Sequence, residues 1–287
     1  MSDASMGTLY VVATPIGNLE DLSARAIRLL GEVALIAAED TRHSARLLRH
    51  LGLSVPMLSL HEHNELARVD QLAERLAAGS DIALISDAGT PLISDPGFVL
   101  VRELRQRGHR IVPVPGPCAL VAALSAGGLP TDRFLFSGFL PAKGSARRAC
   151  LEALAEHAET LVFYESPHRI LATLKDLSTT LGNRDLVLGR ELTKTFETFL
   201  EGTAAQLLAR MEEDPDQARG EFVIMVAGVP KAATMDCASV EADTLLGALL
   251  AEEVGIKQAA AVASRVLGGS KKTWYARAQT LKDAQRD

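Results

Sequence analysis

The feature that most constrains the fold is an apolar run, residues 82–85, that leads directly into a loop rich in glycine, proline and aspartate, residues 86–97. Continuous branched apolar residues are typical of a strand buried on both faces of a parallel sheet. Ligands of open α/β sheets bind beyond the carboxyl ends of the strands, where this loop lies. Gly89 and Gly97 allow close backbone approach or a positive φ angle. The segment therefore predicts a buried strand followed by a ligand-binding loop.

Two further segments repeat this arrangement. Residues 9–13 form an apolar run that ends in the loop 14–21, and residues 110–114 form another that ends in the loop 115–119. Each of these loops contains glycine, and the carboxyl ends of parallel strands meet at one edge of a sheet. The three loops are therefore expected to enclose one cofactor.

Strand and helix patterns alternate up to about residue 127, which predicts a mostly parallel sheet. A Gly-Gly-Leu-Pro segment then breaks the pattern, and a second series of strands and helices indicates a second α/β domain. Residues 231–238 are predicted to be a linker, followed by three short helices. The predicted domains are 1–128, 129–230 and 231–287.

Charge is distributed unevenly along the chain. The formal net charge of −6 argues against a simple polyanion-binding protein. From Lys257 onward, however, seven basic residues are opposed by only two acidic ones. Lys271 and Lys272 lie beside Trp274, a combination that can hold phosphates and stack on bases. The sequence is compatible with two interpretations of this basic segment, an RNA-binding surface or a solvent-exposed helix face. Trp274 is alternatively a core residue.

Other sequence features limit the class of protein to which the chain can belong. No apolar run approaches the roughly 20 residues needed to span a bilayer, and the first residues lack the features of a signal peptide. The three cysteines are too few and too scattered for a disulfide framework or a zinc site. His61, His63 and Glu65 are interpreted as flanking a helix, so no metal is predicted. A soluble, cytoplasmic protein is expected.

Four short motifs carry a family resemblance. They are residues 13–19 (ATPIGNL), 38–44 (AEDTRHS), 163–169 (FYESPHR) and 190–194 (RELTK). Together with the three loops, their order and spacing resemble the RNA-modifying branch of the tetrapyrrole-methylase (class III) superfamily of S-adenosylmethionine-dependent methyltransferases. The resemblance spans nearly the whole chain. It implies two α/β domains with the cofactor in the cleft between them, followed by a small helical module.

The same resemblance implies a function. The cofactor would be S-adenosylmethionine, and the substrate would be the ribose 2′-hydroxyl of a cytidine in 16S rRNA of the small ribosomal subunit. A homodimer is also implied. The cofactor-binding residues carried over by motif are Pro15, Ile16, Asp87, Ala88, Thr90, Cys118, Ala119, Tyr164, Met225 and Ala227. Asp87 is expected to accept hydrogen bonds from polar groups of the donor.

Methyl transfer from a sulfonium requires mainly that the acceptor oxygen is aligned and water is excluded. A ribose hydroxyl is a poor nucleophile, so a base or a cationic group should help. Asp40 and Glu165 are the predicted catalytic residues, although Asp40 alternatively pairs with Arg42. The predicted substrate-binding residues are Arg42, His168, Arg169, Arg190, Lys194, Lys271, Lys272 and Trp274.

Three other functions differ in how well the sequence supports them. A nicotinamide-dependent dehydrogenase is disfavoured because the loop 14–21 contains only Gly17, whereas the dinucleotide fingerprint needs three glycines. A tetrapyrrole methyltransferase remains an alternative, although Pro15 and Asn18 depart from the glycine-rich first loop of those enzymes. A non-enzymatic RNA-binding protein is the second alternative.

Overall fold

The computed structural model describes residues 6–229, 237–252 and 254–284. The chain divides into two compact units, residues 1–229 and 230–287. The first unit contains two five-stranded sheets with helices, and the described part of the second is helical. The predicted α/β fold class is confirmed. The predicted boundary at residue 128 stays a prediction, and most of the predicted linker 231–238 lies outside the described residues.

The first sheet is built from the strands predicted at residues 82–85 and 110–114 and their neighbours. The elements in chain order are β1 (Thr8–Val12), α1 (Ala24–Glu32), β2 (Leu35–Ala38), α2 (Thr41–His50), β3 (Met57–Ser59), α3 (Glu65–Ala77), β4 (Ile82–Ile85), α4 (Phe98–Gln106), β5 (Arg110–Val114) and α5 (Ala119–Ala126). All pairings are parallel, in the order β3-β2-β4-β1-β5. The loops after β1, β4 and β5 therefore share one edge of the sheet.

Helices cover both faces of this sheet, which explains why β4 is apolar throughout. Leu30 of α1 and Leu48 of α2 pack on one face. Leu72 of α3 and Leu100 of α4 pack on the other. Burying each such side chain stabilises the fold by about 1.5 to 3 kcal/mol. The sheet is thus a rigid base for the loops at its edge.

The second sheet is mixed. Its elements are β6 (Phe134–Phe139), α6 (Gly144–Ala153), β7 (Thr160–Glu165), α7 (Ile170–Leu181), β8 (Asp185–Arg190), β9 (Thr198–Thr203), α8 (Ala204–Glu213) and β10 (Phe222–Val226). The order is β6-β7-β10-β8-β9, in which only β6 and β7 are parallel. Helices α6 to α8 pack on one face, whereas α5 packs on the other. Helix α5 thus follows a strand of the first sheet and packs on the second.

A charged pair is buried beneath this second sheet. The Arg147 guanidinium on α6 lies 2.7 Å from the Asp176 carboxylate on α7, and both side chains are at most 10% exposed. Arg148 provides a second, more exposed partner for Asp176 at 3.2 Å. The pair joins α6 to α7.

The C-terminal unit consists, in its described part, of α9 (Cys237–Ala251), α10 (Ile256–Val266) and α11 (Lys271–Ala284). Its small core contains Leu246 and Ala263, and the Trp274 ring packs against it. The Trp274 indole N–H donates to the Gly268 carbonyl at 2.6 Å. Ser270 caps the start of α11, since its Oγ accepts from the Thr273 amide at 3.1 Å.

No helix among the described residues is long and apolar enough to cross a membrane.

Candidate active site

A cavity of about 350 Å³ lies where the loops at the edge of the first sheet meet the second sheet. The loop after β4 contributes Asp87 and Thr90, and Cys118 follows β5. Tyr164 of β7 and Val223 of β10 form the opposite wall. The volume lies within the range of small-molecule sites, about 300 to 1,000 Å³. The predicted cleft between two α/β layers is therefore present.

The loops around the cavity contain strained backbone. In the described part of the chain, all four non-glycine residues with a positive φ lie in two segments beside it. Leu92 (φ 73°) and Ser94 (φ 70°) lie in the loop after β4, and Glu191 (φ 51°) and Thr193 (φ 65°) lie in the loop after β8. Such conformations are uncommon for residues with a Cβ and cluster at functional sites. Both loops are therefore held in one defined shape.

The loop after β1 is joined to the loop after β8. The Asn18 amide donates to Thr193 Oγ1 at 3.1 Å. A Cβ atom on Gly17 would lie 2.4 Å from Cγ of Lys194, so only glycine allows this approach. Gly17 is thus required by the contact between the two halves of the site.

Five carboxylates line the cavity: Glu39, Asp87 and Asp95 on the side of the first sheet, and Glu165 and Glu221 on the side of the second. Asp87 Oδ1 accepts from the Asp40 amide at 3.1 Å, and the Asp87 amide donates to Glu39 Oε2 at 3.3 Å. Burial, with the nearby charge of Asp87, raises the pKa of Glu39. Burial and the nearby Glu39 and Asp87 raise the pKa of Asp95 to about 7. Within the part of the chain that the structure describes, the cavity lining includes no basic side chain. Glu165 and Glu221 pair with cations outside the lining, Arg169 and Lys194, whereas Glu39, Asp87 and Asp95 form no ion pair with a described residue.

Tyr164 connects the cavity to α5. Its phenol oxygen accepts from the Leu120 amide at 3.0 Å, and its ring makes edge contacts with Phe136 and Phe139. Burial raises the pKa of Tyr164 further above its usual value, so the phenol stays protonated at neutral pH. It thereby retains one hydrogen, which it can donate on the side of Cys118, a residue that also lines the cavity.

Most of the predicted cofactor-binding residues line this cavity. They are Ile16, Asp87, Ala88, Thr90, Cys118, Ala119 and Tyr164. Pro15 lines a neighbouring cavity of about 180 Å³ instead. Met225 is fully buried, and Ala227 lies beyond the end of β10. Residues two apart in a strand share a face, so Met225 lies on the same face of β10 as Val223. Met225 packs against α5 on that face.

Several lining residues were not predicted, above all Glu39, Asp95 and Val223. Glu39 lies in the motif 38–44 next to the predicted Asp40, and Asp95 lies in the loop 86–97 that also contains the predicted Asp87 and Thr90. Carboxylates in a glycine-rich loop after a buried strand are a signal that could have identified Asp95. Val223 lies in an apolar strand, and no feature of the sequence distinguishes it from its neighbours.

The predicted catalytic residues both have structural contacts. Asp40 caps α2 by accepting from the Arg42 amide at 2.8 Å, and it pairs with the Arg42 guanidinium at 3.0 Å. Its hydrogen bonds from Arg42 lower the pKa of Asp40 to about 2. Glu165 borders the cavity but is buried, and its two oxygens accept from the Ser166 amide at 2.8 Å and the Thr173 hydroxyl at 2.7 Å.

The predicted substrate-binding residues of the first unit fall into two groups. Arg42 and His168 are exposed to solvent. The other three basic side chains contact acceptor groups within the protein. The Arg169 guanidinium donates to the Leu140 carbonyl, that of Arg190 donates to the carbonyls of Asp216 and Arg219, and the Lys194 ammonium lies 2.9 Å from both Glu191 and Glu221.

In the C-terminal unit, Lys271 and Lys272 are exposed, whereas Trp274 is partly buried. Its ring contacts and its hydrogen bond to Gly268 are those of a core residue. These contacts favour the interpretation of Trp274 as a core residue, which is one of the two that the sequence allows.

Within residues 6–229 and the described helices that follow, no group of three or more histidine, cysteine, aspartate or glutamate side chains is arranged to hold a metal ion.

Comparison with known proteins assigns this chain to a family. Residues 8–208 match the family described as Tetrapyrrole (Corrin/Porphyrin) Methylases. The chain belongs to the tetrapyrrole methylase family. Residues 237–282 match a second family, the RsmI C-terminal HTH domain, and this range spans α9, α10 and most of α11.

Three individual relatives share one name and about half of their sequence with this chain. The chain is 54% identical to ribosomal RNA small subunit methyltransferase I of Pseudomonas aeruginosa, over 96% of this chain and 97% of that protein. It is 52% identical to the protein of the same name from Haemophilus influenzae, over 94% and 95% of the two chains. The counterpart from Escherichia coli O157:H7 is 50% identical, over 96% and 95%.

Solved structures agree on the fold. The cobalt precorrin-4 methyltransferase CbiF aligns with a TM-score of 0.58 and 17% identity, over 79% of this chain and 97% of CbiF. Uroporphyrin-III-C-methyltransferase from Thermus thermophilus aligns with a TM-score of 0.55 and 22% identity, over 77% and 94% of the two chains.

Proposed function

We propose that the protein transfers a methyl group from S-adenosylmethionine to the ribose 2′-hydroxyl of a cytidine in 16S rRNA, at position 1402 of that RNA. The observation that carries the donor assignment is the cavity at the edge of the first sheet, whose lining among the described residues is acidic and includes no basic side chain. The RNA assignment is supported by relatives of about 50% identity named ribosomal RNA small subunit methyltransferase I. A cytoplasmic location accompanies such a substrate.

The chemistry of the cavity fits the proposed donor. When bound, S-adenosylmethionine supplies an activated methyl group on a positively charged sulfur. Glu39, Asp87 and Asp95 would balance that charge and the ammonium of the methionine part, since opposite charges close together favour the ionised carboxylates. Burial and the neighbouring carboxylates raise the pKa values of Glu39 and Asp95, and a bound cation would lower both pKa values.

Other lining residues would bind the uncharged parts of the donor. The apolar side chains of Ile16 and Val223 and the Tyr164 ring provide contacts for an aromatic base. The Thr90 hydroxyl donates to the Pro117 carbonyl at 2.9 Å, which fixes its orientation while its lone pairs remain free to accept a hydrogen bond.

The catalytic assignments of Asp40 and Glu165 stay predictions. Both oxygens of Glu165 accept hydrogen bonds from within the protein, and its position at the start of the 166–169 turn supports a role in positioning that turn beside the cavity. Asp40 connects to the cavity through the bond from its amide to Asp87. A homodimer likewise stays a prediction.

The proposal is tested by incubating the protein with isotope-labelled S-adenosylmethionine and either small ribosomal subunits or free 16S rRNA. Mass spectrometry of the digested RNA should find 2′-O-methylcytidine, with the adjoining phosphodiester protected from alkali. A methyl group on the base would contradict the ribose assignment. Methylation of a porphyrin or corrin in preference to RNA would support the tetrapyrrole alternative, and RNA binding without donor binding would support a non-enzymatic role.

A further inference from the structure

Helix α2 carries a strongly basic face that the proposed chemistry does not use. Its exposed residues form one arc of about 120°, given 100° per residue, and they are Arg42, His43, Arg46, Arg49 and His50. The opposite side of the helix is anchored by buried Ser44 and Leu48. We call this exposed arc the basic face of α2. A helix with this pattern has a fixed inner side and a cationic outer side.

Little in the protein neutralises this basic face. Arg42 pairs with Asp40, yet its side chain remains 91% exposed. Arg46 and Arg49 form no ion pair with any residue that the structure describes. The chain as a whole has a net charge of −6, so the cluster does not reflect a generally basic surface. Exposed, unpaired arginines of this kind are suited to bidentate contacts with phosphate.

The basic face lies directly beside the proposed donor cavity. His43, Arg46 and His50 line the smaller cavity of about 180 Å³, which Pro15 and Asp87 also line. Asp87 lines the donor cavity as well. A chain bound along α2 would therefore have a nucleotide next to the place where the methyl group is transferred.

We propose that the basic face of α2 binds the phosphate backbone of the RNA substrate next to the donor cavity. The inference rests on the proposed function, because that function supplies the RNA. Phosphate contacts fix the register and orientation of a nucleic acid and carry no sequence information themselves. Arg46 and Arg49 thus position the RNA, while the cavity performs the chemistry.

The test uses the full chain with Arg46→Gln and Arg49→Gln combined. RNA affinity is measured for 16S rRNA over a range of salt concentrations, and S-adenosylmethionine affinity is measured by calorimetry. Each lost phosphate contact lowers the slope of log affinity against log salt by about 0.7 to 0.9, so the double variant should lose about 1.5. Donor affinity should stay at the wild-type value, which also shows that the variant is folded.

A matched control removes the same charge elsewhere. Arg75 of α3 and Arg105 of α4 are exposed on the helices that cover the other face of the first sheet. The double variant Arg75→Gln and Arg105→Gln should keep the wild-type salt slope. Equal losses in both double variants would mean that only net charge matters, and would overturn the inference.

The two proposals fail in different ways. If the wild-type protein methylates 16S rRNA and the Arg46/Arg49 variant retains the wild-type salt slope, the role of α2 is wrong and the proposed function stands. If the wild-type protein neither binds nor methylates the RNA, both are wrong.

Discussion

Replacing Asp95 with asparagine should make the stability of the protein less dependent on pH. The fold raises the pKa of Asp95 from its usual 3.8 to about 7, mainly through burial. Its contribution to the free energy of unfolding is therefore fully present below about pH 4 and is lost as the pH rises through about 7. Asparagine keeps the size and an acceptor oxygen but cannot ionise.

The magnitude follows from the size of that pKa change. A change of this size corresponds to about 4 kcal/mol if fully expressed, and the partial solvent access of Asp95 reduces this to about 1 to 2 kcal/mol. The wild-type protein should therefore lose about 1 to 2 kcal/mol more than Asp95→Asn between about pH 5 and about pH 8. For a unit of this size, each kcal/mol shifts the melting temperature by about 2 to 4 °C.

The assay is urea unfolding of both proteins at several pH values, without ligand. Measuring S-adenosylmethionine affinity over the same pH series provides a second test, because a cationic ligand should favour the ionised form of Asp95. Donor affinity of the wild type should then fall by up to about tenfold per pH unit below about pH 7 relative to the variant. Parallel pH profiles of the unfolding free energy in both proteins would refute the reasoning.

Three further predictions concern the framework around the site. Removing all residues after Val229 should leave donor affinity unchanged and weaken RNA binding, as calorimetry and filter binding would show, because the first unit has its own cores; full RNA methylation by the truncated chain would contradict this. Trp274→Ala should destabilise the C-terminal unit in thermal melting by less than the about 3 to 5 kcal/mol of a fully buried tryptophan, because the ring is partly exposed, whereas an unchanged melting curve with weak RNA binding would indicate base stacking. Arg147→Met should lower the free energy of unfolding by about 3 kcal/mol, since Asp176 keeps only its exposed partner; a loss below about 1 kcal/mol would show that the buried pair contributes little.

The fold of the first sheet was largely predictable because its strands are buried on both faces and read as continuous apolar runs. The strands at 82–85 and 110–114 have the predicted bounds. β9 was not predicted, since residues 198–203 form an edge strand with polar residues and a glycine. The order of the strands along the chain does not predict that β10 lies between β7 and β8 in the sheet, because that pairing depends on contacts between residues distant in sequence.

The candidate site was predictable where motifs lie in loops and less so where tertiary packing decides. Asp87 and Thr90 line the cavity because the loop after β4 must lie at the carboxyl edge of the sheet. Met225 was placed near the cofactor by resemblance, but α5 covers that end of β10. Similarly, Lys194 looks like a free cation in the sequence, yet Glu191 and Glu221 hold it.

The most direct test of the account is whether the methyl donor occupies the cavity at the edge of the first sheet. Ala119 lines that cavity, and Ala24 is an exposed residue at the start of α1. Calorimetry should show that the wild type and Ala24→Phe bind S-adenosylmethionine equally, while Ala119→Phe, with a melting curve that shows it is folded, binds at least about tenfold more weakly, a loss of about 1.4 kcal/mol. Wild-type affinity in Ala119→Phe, or no binding by the wild type, would contradict the account.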